Sequence, residues 1–429
     1  MNFYEYPQLG EVLYKEQLSN GLTVMVVPRP GFSKKLAYFV TDFGSIHTDF
    51  RLDGKTVHTP AGIAHFLEHK MFELPDRDVN AEFAAMGANV NAFTSYDMTA
   101  YYFSCTERFE DNLRLLLEFV STPYFTEESV QREMGIIDQE IGMCEDSPER
   151  VFENLMVAMY ENHPIRVPIL GTRESIRQIT PDLLYTCHRA FYTPANMILC
   201  VVGDVDPEAV AALAESVLGT SYRPAGEKLG AWQEDMTCLQ KEISMDMEVA
   251  MPNFQLGFKC PPVGMGAESF RQEIIGDLAA EVLFGESSSL YLQLYEEGLI
   301  DSSFGGGFES VDGCAMLTCG GDSEEPTAIQ AAILEKVTEI VASGIPESEF
   351  LRMKRSALGR RIRGLDSFDA VCFRLCAYHF CGFDYFLFPS EYPDITSDQV
   401  CAFLKETIQE DRCALSILNP KSNSQEVIQ

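Results

Sequence analysis

Apolar and polar positions follow two different periods along this chain. Leu22 to Pro28 is a short apolar run, opened by the turn signal Asn20-Gly21 and closed by a proline, so it reads as a strand. Lys35 to Ser45 reads as a second strand. Ala88 to Cys105 alternates β-branched and aromatic residues with polar ones, again a strand pattern. Asn196 to Pro207 predicts a buried strand ending in a turn, and a helix follows over Pro207 to Gly219. Helical periodicity covers Asp111 to Ser121 and Glu127 to Met143. The mixture predicts an α+β fold with antiparallel or mixed sheets.

The pattern recurs. Tyr124 to Gly142 and Gly344 to Ile362 both open with a turn and a capping signal, then run as an amphipathic helix. A shift of 220 residues places Val130 on Phe350 and Arg132 on Arg352. The apolar helices before them match, and "RCALSILNP" near the end echoes "NMILCVVGDVDP". These echoes predict a duplicated α+β unit. Ser221 to Cys238, rich in Gly, Pro and charge, is the expected connection, so the domains are expected at 1–225 and 226–429. The same shift puts Glu133 over Met353 and Glu140 over Arg360, and the second half has no histidine pair.

Composition narrows the partners. A chain of 429 residues exceeds one ordinary core, in line with two domains. The formal charge of −33 argues against nucleic acid and against an anionic membrane surface. No apolar run approaches the ~20 residues that cross a bilayer. The 13 cysteines show no regular spacing and no signal peptide is visible, so a reducing cytoplasm is expected. Cys372, Cys376 and His379 share a helical face with Cys381 nearby; buried thiols are expected there rather than zinc, because a second pair of ligands is missing.

The chemistry concentrates in "AGIAHFLEHKMFEL", Ala61 to Leu74. Thr59 suits an N-cap and Pro60 the first helical position, so a helix is expected from about Pro60 to Phe72. On it His65 and His69 stand at i and i+4, one above the other, with Glu68 beside them. Two neutral imidazoles at this spacing suit one zinc ion, and a neighbouring carboxylate suits a base acting on a water. The order H-x-x-E-H inverts the commoner H-E-x-x-H. A third ligand is needed. Glu133 and Glu140, two turns apart on a helix that Thr126 caps, are the candidates; one can ligate while the other steadies the site. Alone they would read as two carboxylates on a wet surface.

These residues resemble the pitrilysin/insulinase family of inverted zinc metallopeptidases. Four segments carry the likeness: "HFLEHKMFE" from His65, "GANVNAFTSYDMTAYYF" from Gly87, "REMGIIDQE" from Arg132 and "SSLYLQLYEEGLIDSSF" from Ser288. Within the family the chain looks most similar to the bacterial short-chain subunits. The resemblance implies two duplicated α/β sandwich domains (LuxS/mitochondrial-processing-peptidase-like). Their sheets would be mixed and mainly antiparallel, with helices packed on one face. The first domain would bind zinc and the second would not. The resemblance also implies that His65, His69 and Glu140 ligate Zn2+, that Glu68 is the general base, and that Glu133 supports the ligands from behind. Asn91, Ala92, Phe93 and Thr94 would form an edge strand that pairs with an extended peptide substrate; an ordinary core strand is the bland alternative.

The chain departs from the family in its second half. Where active members carry a substrate-holding arginine and tyrosine, it has Tyr295 and Asp301. A partner is therefore expected: a homologous zinc-free subunit completing a heterodimer around an acidic chamber, with a homodimer as the other arrangement. The competing expectation is a non-catalytic scaffold or assembly subunit. A zinc hydrolase acting on a non-peptide amide is a weaker third.

Overall fold

The computed structural model describes residues 1–75, 77–230 and 232–421. The apolar runs form strands of two large sheets. The first contains β1 (Asn2–Tyr6), β2 (Glu11–Gln17), β3 (Thr23–Pro28), β4 (Lys35–Thr41), β5 (Asn89–Thr94), β6 (Thr99–Cys105) and β7 (Met197–Gly203). Its spatial order is β1-β2-β3-β7-β4-β6-β5. The second contains β8 (Glu242–Met247), β9 (Asn253–Cys260), β10 (Gly305–Val311), β11 (Cys314–Asp322) and β12 (Cys413–Pro420), in the order β8-β12-β9-β11-β10.

The longer helices include α1 (Ile63–Met71), α2 (Phe109–Ser121), α3 (Glu127–Glu145), α4 (Arg150–Met159), α5 (Pro181–Phe191), α6 (Gly266–Phe284), α7 (Ser289–Glu296), α8 (Glu347–Arg363) and α9 (Phe368–Phe380).

The duplication is visible in the sheets. The run β3-β7-β4-β6-β5 and the run β8-β12-β9-β11-β10 have the same connectivity. In each, the first pair is parallel and the other three are antiparallel. The first sheet adds β1 and β2 as an antiparallel ribbon.

The compact units do not follow the chain halves. One unit is Met1–Ile141, Pro168–Gly230 and Arg360–Pro389; the other is Gly142–Val167 with the described residues of Ala231–Gly359 and Ser390–Gln429. Two helices are exchanged. In the first unit α9, from late in the chain, packs on β4 and β7; in the second, α4, from early in the chain, packs on β9 and β12. A boundary near residue 225 therefore matches one passage of the chain between units, while the segments bearing α4 and α9 cross it.

Packing explains the exchange. On one face of the first sheet, Ala37, Phe39, Tyr101, Phe103, Leu199 and Val201 pack with the residues of α1, α2 and α5 in a single core. Burying each large apolar side chain there stabilises by about 1.5–3 kcal/mol. The opposite face carries Tyr38, Cys200 and Tyr102, and α9 covers it, with Cys372 against the Cys200 carbonyl at 3.7 Å. Covered on both faces, β3, β4 and β7 read as continuous apolar runs rather than alternating ones. In the second unit a Cβ on Gly257 would lie 2.5 Å from Met159 Sδ, so a glycine in β9 permits the close approach of α4.

Candidate metal centre

The helix carrying the histidines starts later than its sequence suggests. Its N-cap is Gly62 at φ +88°, not Thr59, and α1 begins at Ile63. The Thr59 hydroxyl instead donates to the Thr48 carbonyl at 2.9 Å. Tertiary contact has overridden the local capping signal. A Cβ on Gly62 would lie 2.4 Å from the Leu170 carbonyl oxygen, and one on Gly171 would lie 2.5 Å from the Ala61 oxygen. Ser175 Oγ donates to that same Ala61 oxygen at 2.8 Å. Two glycines and a serine thus lock the start of α1 against the loop around Leu170.

Helix α3 forms the other wall. Thr126 caps it as expected: Ser129 N–H donates to Thr126 Oγ1 at 3.1 Å, and Thr126 N–H donates to Ser129 Oγ at 3.2 Å. Val130, Ile137 and Ile141 are buried, which turns Glu133 and Glu140 toward α1. Arg132 pairs with Glu73, just beyond α1, and Glu73 also pairs with the fully buried Lys70. Arg173 holds Asp138 at 2.8 Å.

The two helices bring the expected residues together. His65 Nε2 lies 3.7 Å from Glu140 Oε1, and His69 Nε2 lies 3.7 Å from Glu140 Oε2. One donor atom from each of the three residues falls within 4.8 Å of the others. Donors around a tetrahedral zinc stand about 3.3–3.4 Å apart, so small side-chain adjustments close the set. Among the described residues no other His/Cys/Asp/Glu group converges this way, the Cys372 group included. His379 instead has its Nδ1 3.2 Å from Lys15 Nζ, and none of the 13 cysteines forms a disulfide among the described residues.

Electrostatics favour a cation. Burial, with His69 beside it, pushes His65 down to about 3, which keeps its ring neutral. His69 places Nδ1 2.9 Å from Glu133 Oε1; donating there leaves Nε2 with its lone pair toward Glu140. Burial works to lower His69, but the hydrogen bond and charge of Glu133, with Glu68 and Glu140, outweigh it and raise it. Glu68 is only 8% exposed. Burial raises it, against the hydrogen bond from Thr94 and the neighbouring His69. The buried Nδ1 of His65 has no hydrogen-bond partner among the described residues.

Strand β5 is the edge of the first sheet and, among the described residues, pairs only with β6. Its side chains divide by parity. Asn91 is exposed and accepts from the Ala92 N–H at 2.9 Å. Ala92 packs on the core shared with α1. Phe93 lies against Phe373 of α9, ring centroids 5.9 Å apart, and near Tyr38 and Tyr102. Thr94 donates to Glu68 Oε2 at 2.6 Å. The family resemblance implies Thr94 only as part of the peptide-pairing edge; strand parity puts it on the same face as Ala92, and the fold shows that it meets Glu68.

In the second unit Tyr295 is exposed and stacks on Tyr291, with the rings 6.1 Å apart and 10° from parallel. Asp301 accepts from Ser303 N–H at 2.7 Å and from Ser303 Oγ at 2.6 Å. Both side chains serve local structure.

Residues 56–173 match the family Insulinase (Peptidase family M16), and residues 178–357 match the Peptidase M16 inactive domain. The uncharacterized zinc protease YmfH of Bacillus subtilis is 40% identical over 427 residues, covering 97% of this chain and 99% of the relative. An M16-like peptidase from Alicyclobacillus acidocaldarius superposes with a TM-score of 0.91 at 33% identity, over 98% of this chain and 99% of that one. A protease from Helicobacter pylori has a TM-score of 0.80 at 21% identity, over 95% of this chain and 99% of that one, which shows a shared fold.

Proposed function

We propose, for a chain that belongs to the insulinase (M16) peptidase family, the function of a zinc-dependent endopeptidase subunit. The observation that carries this reading is the convergence of His65, His69 and Glu140, with the buried Glu68 one turn away on α1.

His65 Nε2, His69 Nε2 and the Glu140 carboxylate would hold the zinc. When bound, zinc lowers the pKa of a water and draws charge from the scissile carbonyl. Glu68 accepts the water's proton and delivers it to the leaving amine. Glu133 fixes the ring of His69 through Nδ1. The free edge of β5 at Asn91, Ala92, Phe93 and Thr94 pairs with the backbone of an extended peptide, an interaction that asks little of the peptide's sequence.

The partner in this reading is a homologous, zinc-free subunit, in a heterodimer rather than a homodimer. Its support is the engagement of Tyr295 and Asp301 in local contacts, where the family resemblance implies an arginine and a tyrosine. The strongly acidic charge supports a peptide substrate over nucleic acid or a membrane surface. No helix among the described residues is long and apolar enough to cross a membrane. Thiols left unbridged by disulfides among the described residues support a cytoplasmic setting. A non-catalytic assembly subunit is the second reading, and the same Tyr295 and Asp301 favour it.

The test is elemental analysis of the purified chain alongside cleavage of an unstructured peptide, with and without the co-expressed homologue. Native protein and Glu68→Gln should both carry one zinc. The native protein should cleave, faster with the partner, and Glu68→Gln should be slower by about 10²–10⁴-fold. Native protein without stoichiometric zinc would favour the assembly reading.

A further inference from the structure

We infer that Thr94 is a positioning residue for Glu68, fixing which carboxylate oxygen is free to act as the base. The inference rests on the peptidase reading above. Its own support is the pair of threonine hydroxyls, Thr94 and Thr99, that face each other across β5 and β6.

Thr94 Oγ1 lies 2.6 Å from Glu68 Oε2, within the ~2.5–2.7 Å range of a hydroxyl donating to an ionised carboxylate. A hydroxyl has one proton, so its commitments can be followed. Thr99, fully buried across the strand pair, donates its proton to the Phe43 carbonyl at 2.8 Å. With its one proton committed to Phe43, Thr99 can act toward its other neighbours only as an acceptor. Thr99 then has no proton for Thr94, 3.4 Å away. The Thr94 proton is left for Glu68.

This arrangement gives the two oxygens of Glu68 different tasks. Oε2 is held by a donor that belongs to a sheet strand, so the carboxylate plane is set by the sheet as well as by α1. Oε1 is left to take the proton of a water. Without that bond the buried carboxylate could rotate about its own side-chain torsions. Misplacing a reacting group by ~1 Å costs on the order of a hundredfold in rate.

The experiment compares Thr94→Val, which keeps the shape and removes the donor, with Thr94→Ser, which keeps the donor. Thr94→Val should lower kcat about a hundredfold while zinc content stays at one and KM changes less than about twofold. Thr94→Ser should stay within about threefold of the native chain. Unchanged kcat in Thr94→Val overturns the inference. Thr94→Ser as impaired as Thr94→Val also overturns it, because packing of the methyl group would then be the cause.

A second measurement needs no turnover. In protein stripped of metal by a chelator, the effect of Thr94→Val on the unfolding constant in urea is compared in the native and Glu68→Met backgrounds. A direct bond predicts effects that differ by about tenfold; additive effects overturn the inference even in an active enzyme. Coupling without any cleavage by the native chain sinks the peptidase reading, and the catalytic role of Thr94 with it, while the bond itself stands.

Discussion

On α3, Glu133 and Glu140 face His69 and His65; at the same shift of 220 residues, α8 carries Met353 and Arg360. The side of the helix that packs has been kept. Val130 and Ile137 are buried on α3, and their counterparts Phe350 and Ala357 are buried on α8. The sheets have been kept too, down to one parallel pair in each five-strand run. The edge strands differ as the helices do: β5 reads Asn-Val-Asn-Ala-Phe-Thr, while β10 opens on three glycines. Packing demands are thus common to the two copies, and chemistry was placed on one of them. A fold shared this closely says little about activity until the side chains on it are examined.

Exchanging the residues at one matched position breaks the comparison most severely. Met353 is 3% exposed. Met353→Glu would bury a carboxylate with no partner and should destabilise by about 3–5 kcal/mol, read by urea unfolding. The reverse change, Glu133→Met, should leave the fold intact. It removes the acceptor for His69 Nδ1 and should weaken zinc binding about 10–100-fold in a competition titration. Glu133→Gln, which keeps an acceptor oxygen, should recover most of that loss. If Glu133→Met binds zinc as tightly as the native chain, the carboxylate has no hold on the ligand.

Acid sharpens the contrast, because six of the seven histidines belong to the first unit and only His163 to the second. His188 is deeply buried, and Nε2 lies 3.1 Å from the Val120 carbonyl. Burial pushes it down to about 4. The unfolded chain, with an ordinary value of about 6.5, therefore binds more protons between these limits, and stability falls as pH falls through that window. The full effect of this one group is about 3 kcal/mol. Hydrogen exchange followed from pH 7 to 4, corrected for intrinsic rates, should show β4, β7 and α5 losing protection before β9 and β12. His188→Gln, able to donate to Val120 without titrating, should reduce that difference. Equal loss in both units, or no change in the variant, would count against His188 as the cause.

What was readable in the sequence was local or repeated. The spacing of His65, Glu68 and His69 follows from one turn of helix, and Glu133 and Glu140 from two. Paired repeats made the duplication legible before any strand order was known. The features missed depend on residues distant in the chain. Thr59 and Pro60 carry a valid capping signal, yet Thr48 takes the hydroxyl of Thr59 and the loop at Leu170 sets the start of α1 at Gly62. Nothing near Phe368–Phe380 says that this helix covers β4 and β7. The apolar character of both faces of those strands was the available clue. The Thr94 hydroxyl could be assigned to a face by alternation, but its partner is 26 residues away.

The smallest expected effect concerns a residue that both copies retain. Arg132 on α3 and Arg352 on α8 are matched, and each ties its helix to a neighbouring segment: Arg132 to Glu73 and Arg352 to Ser287 Oγ at 2.8 Å. Both arginines are exposed, so replacing either by alanine should cost no more than about 1 kcal/mol in stability. Their effects on metal should differ. Glu73 follows α1 directly, so Arg132 links the helix bearing the histidines to the helix bearing Glu140. Lys70, buried beneath, still holds Glu73 when Arg132 is gone, which limits the damage. Arg132→Ala should therefore weaken zinc binding only a few-fold, and Arg352→Ala not at all. Equal zinc affinity in the two variants would mean that the arginine serves packing in both copies, and that α1 and α3 hold their ligands without it.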